Sequence, residues 1–231
     1  MQPYFFPYLG YFSLIKQTER FILIDSVQFI KQGWIERNRI LQSDEGWQYI
    51  KVPLEKHNRE TKIENIRINN AGDWKGKIFR QLEHYKRKAQ FYNDTLNVLD
   101  EALSIKTDSI VKLNKNCIQT VCKYIGIESN LEIFTEMNIV IETANDSDEW
   151  ALNICKALGN VTEYWNPEGG FEFYNKSKYL NSGIDIKFLK INFEKYPQRR
   201  EIFEQGLSII DVMMFNSPNR INEMLQNYII L

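Results

Sequence analysis

Two hydrophobic periods alternate along this chain. Phe21 to Ile24 is a short continuous apolar run closed by Asp25, too short for a helix and predicted as a buried parallel strand. Ahead of it, Gly10 to Gln17 predicts a short helix with Phe12, Leu14 and Ile15 available to pack. Trp47 to Leu54 predicts a strand ending near Pro53, and Lys62 to Ile68 alternates as a half-exposed strand does. From Trp74 the period lengthens. Trp74, Ile78, Leu82, Tyr85 and Ala89 share one helical face. A second helix is predicted from about Thr95 to Leu103. A third has Thr107 or Asp108 as N-cap, a stripe of Ile110, Leu113, Cys117, Val121 and Tyr124, and Gly126 just past its end.

Alternating elements then return. Leu131 to Thr135 and Ile139 to Thr143 are strand candidates. Asp146 or Ser147 caps a helix carrying Trp150, Ile154 and Leu158, which stops at Gly159. Val161 to Trp165 predicts a strand, followed by a tight turn at Asn166-Pro167-Glu168-Gly169-Gly170. Ile184 to Lys190 is another strand and Leu207 to Phe215 a short apolar helix. Ser217-Pro218 supplies an N-cap and an N1 proline for a last helix reaching about Tyr228. The pattern predicts one α/β domain over residues 1–231, with a mainly parallel, Rossmann-like sheet and an inserted helical segment at about 73–126. Strand, helix and strand at the start make a right-handed unit. A buried first strand should lead into Gln2-Pro3, yet little precedes them. Either Met1 to Phe5 is itself a short strand, or a few upstream residues are absent from this chain.

Composition narrows the function. With a net charge of −1 and a sequence pI near 6.2 the chain has no global basic field, so nucleic acid is not an expected partner. Cys117, Cys122 and Cys155 are odd in number and form no CxxC, which argues against a disulfide framework or structural zinc and fits a reduced, cytoplasmic setting. No apolar run is long enough for membrane insertion. The histidines are His57, in a polar loop, and His84, on a charged helix. Being isolated, they make a metal site improbable. No GxSxG or P-loop is present, and no cofactor is expected. Aromatic content is high at 13% and concentrates in Met1 to Tyr11 without helical or strand period, which favours a ring-stacking site there.

Candidate chemistry gathers in a few stretches. Pro7-Tyr8-Leu9-Gly10-Tyr11, before a helix, is similar to the phosphate-binding helix start of nucleotidyltransferase-like α/β folds, with tyrosines where imidazoles would stand. Asp25 ends a buried strand, and Gln28, Trp34, Arg37, Asn38 and Arg39 follow in one loop. Asp25 reads as a structural ion-pair partner, an ammonium binder or a general base. Arg37 and Arg39 suit forked contacts to a diphosphate, and Asn38 and Gln28 suit sugar hydroxyls. Asn166, Gly169 and Gly170 form a ligand loop or an ordinary turn. Gln198 follows Tyr196 and precedes two arginines. Ser208 and Asp211 line the site or cap a helix.

MQPYFFPYLGYF, DSVQFIKQGW, ERNRI, NPEGG, Tyr196-Pro197-Gln198 and LSIIDVMMFN together resemble the WbqC-like family, in order and from residue 1 to about 220. The resemblance implies bacterial O-antigen or surface-polysaccharide biosynthesis. It also implies amino-acyl (for example glycyl) or acyl transfer to the amino group of a nucleotide-linked amino sugar of dTDP or UDP type. An amino-acyl carrier protein is the candidate donor. Within that reading Asp25 is the base, Gln2 or Asn38 with backbone amides hold the oxyanion, and Tyr4, Tyr8 or Trp34 stack on the nucleobase. The alternatives are a non-catalytic sugar-nucleotide-binding protein and a nucleotidyltransferase-like enzyme.

Overall fold

The computed structural model describes residues 1–231. In chain order come α1 (Leu9–Gln17), β1 (Phe21–Leu23), β2 (Arg37–Leu41), β3 (Trp47–Lys51), α2 (Trp74–Leu82), α3 (Tyr92–Leu103), α4 (Ile110–Ile125), β4 (Leu131–Ile133), α5 (Glu149–Leu158), β5 (Glu163–Pro167), α6 (Lys176–Leu180), β6 (Asp185–Ile191), α7 (Ile209–Phe215), α8 (Pro218–Met224) and β7 (Tyr228–Ile230). The strands form three small sheets: β1 with β4, β2 with β3, and β5-β6-β7. Pairing is parallel in β1/β4 and β5/β6 and antiparallel in β2/β3 and β6/β7, so the protein is a mixed α/β structure. No helix is long and apolar enough to cross a membrane.

Many predicted elements form close to their expected bounds, but Arg37, Asn38 and Arg39 lie on strand β2 rather than in a loop, α2 stops at Leu82, and the last helix ends at Met224, ahead of the strand Tyr228–Ile230; other departures have local causes. Lys62 to Ile68 is not a strand. Ile63 and Ile66 are both buried three positions apart, which suits a 3₁₀ turn at Ile63–Asn65, and the amides of Ile63, Glu64 and Ile68 go to Val27, Asp25 and Asp108 rather than to one partner strand. Ile139 to Thr143 forms no strand either, and Val140 is 91% exposed. The α4 N-cap is Ser109, whose Oγ accepts from Lys112 N, rather than Thr107 or Asp108. Asp148 stands at the cap of α5 but spends its carboxylate on Asn175 N. Asn166 and Pro167 belong to β5, which confines the turn to 168–170.

One core of 50 buried residues takes in the apolar faces of α1 to α4, α7 and α8. A satellite of Leu152, Cys155, Tyr179, Ile184, Ile186 and Phe188 lies under α5, α6 and β6. The N-terminal loop threads the large core. Phe5, Phe6 and Pro7 are buried, so their carbonyls need internal donors. Asn114, on α4, donates to Pro3 O (2.8 Å) and Ile35 O (2.9 Å). Asn38, the inward residue of β2, donates to Phe5 O (3.0 Å) and Phe6 O (2.9 Å). Ser208 Oγ donates to Phe6 O at 2.7 Å and also caps α7. Phe6 is held at φ 40°, a conformation that costs a bulky residue of order 1 kcal/mol or more. Met1 continues the loop into a ladder position: its N–H donates to Ile22 O (2.9 Å) and its O accepts from Ile24 N (2.7 Å), the parallel pattern.

Asn114→Ala strips the donors from two buried carbonyls. Each orphaned group costs roughly 1–3 kcal/mol, so the variant is expected to lose about 3 kcal/mol of unfolding free energy in a urea titration. A loss below about 1 kcal/mol would show that the loop is held by other contacts.

Candidate functional site

Strand alternation sorts β2 into two faces. Asn38 and Ile40 point inward, while Arg37 and Arg39 stand half-exposed on the other side. The antiparallel register sets Arg37 opposite Lys51, Arg39 opposite Tyr49 and Leu41 opposite Trp47. Arg37, Arg39, Trp47, Tyr49 and Lys51 therefore share one face of the hairpin. The Arg37 guanidinium lies 3.9 Å from the centre of the Tyr49 ring. Arg39 sits between two tryptophans, 5.4 Å from Trp34 and 5.1 Å from Trp47, which are 39% and 38% exposed. Arg39 Nη2 donates to Gly206 O at 3.2 Å and Arg37 Nη2 to Gln32 O. The Nε atoms of Arg37 and Arg39 are buried and have no partner. No carboxylate lies within 4 Å of Arg37, Arg39 or Lys51, although fourteen ion pairs form elsewhere. Unpaired guanidinium donors between open ring faces suit an anion that also carries a planar ring.

The N-terminal loop adjoins this face. Tyr8 precedes α1 and pairs its backbone with Ser208, and its ring lies 6.3 Å from that of Phe193. Phe193 and the Arg39 guanidinium both flank Gly206. Burial pushes the Tyr8 phenol up to about 12, and the Glu168 charge adds to it. Tyr4 packs on Tyr11 at 5.6 Å, and burial raises its phenol above the ordinary value. Asn166 is buried beneath Gly170, where a Cβ would come within 2.3 Å of its amide nitrogen, while Gly169 faces open space.

Other predicted site residues fall elsewhere. Asp25 lines a separate polar cleft of about 380 Å³ with Glu64, Arg67, Ser109 and Lys112, and neither the hairpin nor the 166–170 turn reaches it. Its carboxylate accepts from Thr135 Oγ1 (2.6 Å) and Thr135 N (3.2 Å). Gln28 is exposed and donates to Arg59 O. Both N–H groups of Asn38 are committed to the loop carbonyls and its Oδ1 to Arg39 N, so it has no donor left for a substrate oxygen. Gln2 is half-buried, and its side chain makes no hydrogen bond within the chain, which leaves its carboxamide free. The three thiols are buried free cysteines with pKa values pushed up by that burial, Cys155 to about 11 and Cys122 to about 12.

Asp211 is fully buried on α7 and accepts three hydrogen bonds, from Tyr85 OH (2.6 Å), Tyr196 OH (2.6 Å) and Gln198 Nε2 (2.9 Å). Gln198 also fixes Glu204, so the network ties the 193–206 segment to the core. Arg200, on that segment, donates to Gln42 O and Gly46 O in the hairpin turn. Sequence reading missed Trp47, Tyr49, Lys51, Phe193 and Gly206. The available signal was the alternation in WQYIK, which puts its aromatic and cationic residues on the face that RNRIL gives to its arginines.

The chain belongs to the WbqC-like protein family, whose model matches residues 2–223. It is similar to an uncharacterized protein, Rv1507c, of Mycobacterium tuberculosis (strain ATCC 25618 / H37Rv): 27% identical over 219 residues, covering 94% of this chain and 91% of the relative. No solved structure matches.

Burial raises the Asp211 carboxyl from 3.8 to about 6, against the pull of its three donors. A raised acid favours the folded state below its unfolded pKa and loses that advantage as pH climbs through its folded one. The shift corresponds to roughly 3 kcal/mol. Unfolding free energy is therefore expected to fall between about pH 4 and 6, and Asp211→Asn to flatten that decline. An unchanged slope in the variant would remove Asp211 as its source.

Proposed function

We propose that the hairpin face binds the diphosphate and ring of a nucleotide-linked amino sugar, and that the protein transfers an acyl or amino-acyl group to that sugar's amino group. WbqC-like membership suggests a polysaccharide-biosynthesis-related role, and this reaction is its specific form here. The observation that carries the reading is the set of unpaired cations, Arg37, Arg39 and Lys51, interleaved with Trp34, Trp47 and Tyr49. Arg39 supplies forked N–H donors to phosphate, and Trp34 or Trp47 stacks on the base or sugar. Tyr8 borders this face, and the Gly169–Gly170 turn is a further proposed ligand loop.

The transfer needs no protein nucleophile. The sugar amine attacks a carrier-bound thioester carbonyl, a C–N bond forms, the C–S bond breaks, and the ammonium proton passes to a base. Buried, high-pKa thiols fit such a direct attack. Gln2, with its free carboxamide, is the side chain left to support the oxyanion. Asp25 is the proposed base, reached if the acceptor's amine extends into its polar cleft. The rival reading is a sugar-nucleotide-binding protein without chemistry. It gains support from the engagement of both Asp25 carboxylate oxygens by Thr135 and of Asn38 by the loop.

Arg39→Ala is expected to weaken dTDP or UDP binding about ten- to a hundredfold in calorimetry, the scale of a hydrogen bond to a charged group. Trp47→Ala should cost about 1–3 kcal/mol of the same affinity. Wild-type affinity in both variants would refute the hairpin assignment. Incubation with a dTDP-amino sugar and a glycyl-loaded carrier should yield an amide by mass spectrometry, and Asp25→Asn should abolish transfer while leaving binding intact. Binding without product in the wild type would select the non-catalytic reading.

A further inference from the structure

The polar cleft at Asp25, about 380 Å³, opens where two parallel strands end. Asp25 follows the last residue of β1 by two positions, and Thr135 follows the last residue of β4 by two. The carboxyl ends of parallel strands are where α/β proteins hold ligands. The start of α4 and the turn before Arg67 form the other walls. Val111 and Ile133 are the apolar residues of the lining, and the rest is polar or charged. Part of that charge is already matched: Arg67 lies 3.9 Å from Asp108, and Glu64 lies 3.7 Å from Lys62. Asp25, Glu136 and Lys112 have no opposite charge within 4 Å, either in the cleft or outside it.

Asp25 is the telling member. It is 2% exposed, yet its carboxylate is met by the neutral donors Thr135 Oγ1 and Thr135 N alone. A carboxylate has about four acceptor positions, so about two stay open. A buried charge is costly without a counter-ion, and Asp25 lines a cleft through which one can arrive. Lys112 is the converse, an exposed ammonium on the first turn of α4 with no carboxylate partner. Next to it in sequence, the Val111 N–H has no acceptor in the chain. Two unpaired charges of opposite sign thus share one cleft without pairing with each other. We infer that the cleft is a second ligand site, separate from the hairpin face, for a small dipolar ion carrying an ammonium group and a phosphate or carboxylate. The ammonium takes Asp25, with Glu136 as a further carboxylate, and the anion takes Lys112 and the Val111 N–H. An amine held by Asp25 is what the base assignment above also needs, but occupancy of the cleft is read by binding alone and survives if no group is transferred.

Calorimetry on the full chain compares two dipolar probes, glucosamine 1-phosphate and L-alanine, with glucose 1-phosphate and N-acetyl-L-alanine, which lack the ammonium. At least one dipolar probe is expected to bind about tenfold more tightly than its ammonium-free counterpart, the scale of a hydrogen bond to a charged group. Whether the phosphate or the carboxylate probe prevails identifies the anion. Glu136→Gln and Lys112→Ala, at exposed positions, should each weaken that binding several-fold with an unchanged melting temperature. Asp25→Asn should weaken it about tenfold, and where that variant melts early the two exposed variants decide. Saturating UDP should leave the affinity unchanged, because the hairpin lies elsewhere. No heat from either dipolar probe, equal affinity for a probe and its ammonium-free counterpart, wild-type affinity in both exposed variants, or competition by UDP would each overturn the proposal.

Discussion

The carbonyls of a buried, proline-rich loop set the terms for this structure. A loop of that composition cannot satisfy itself with a helix or sheet ladder, because two of its residues lack an N–H and a third lies at positive φ. Side chains must reach it, and three from distant elements do: Asn114 from α4, Asn38 from β2 and Ser208 from the start of α7. These elements are distant in sequence, and the loop is where they converge. Each donor therefore both satisfies a buried acceptor and fixes the position of the element that carries it. A misplaced α4 or β2 would orphan carbonyls costing roughly 1–3 kcal/mol apiece, which makes the arrangement specific as well as stable.

The same constraint shapes the hairpin. With Asn38 and Ile40 turned inward, a strand's period of two forces Arg37 and Arg39 outward together. The register then brings Lys51, Tyr49 and Trp47 to the same side. Cations gathered this way without carboxylates repel one another weakly and are steadied by ring faces instead. The protein supplies its acids elsewhere, in peripheral pairs such as Arg20–Glu132 and the Lys178 cluster, so the charge of this face is left for a ligand. The 193–206 segment packs behind it, anchored through Asp211 and through Arg200 on the hairpin turn.

Much of this was legible in the residues. Apolar runs and helical stripes located β1, α2 and α4, and the Gly126 and Gly159 stops appear where expected, at φ 70° and 77°. The grouping of Trp34 with Arg37 and Arg39 was visible because they lie within one short stretch. What stayed hidden depends on pairing between distant segments. Nothing in KIENIRI says that its amides go to three different partners rather than one. Asn38 looks like a ligand-binding amide until the buried carbonyls of Phe5 and Phe6 are seen to claim it. The contribution of Trp47, Tyr49 and Lys51 needed the β2–β3 register. Asp25, adjacent to the same loop in sequence, was separated from the hairpin by the direction in which the chain leaves β1.

The environment of Arg39 carries an optical consequence. Of five tryptophans in the chain, Trp34 and Trp47 are half open to solvent and flank one guanidinium, whereas Trp74 is buried. A nearby cation and solvent contact both alter indole emission, so an anion arriving at Arg39 would change the field and the hydration of two fluorophores at once. The protein thus carries an intrinsic, label-free reporter of occupancy at its candidate site.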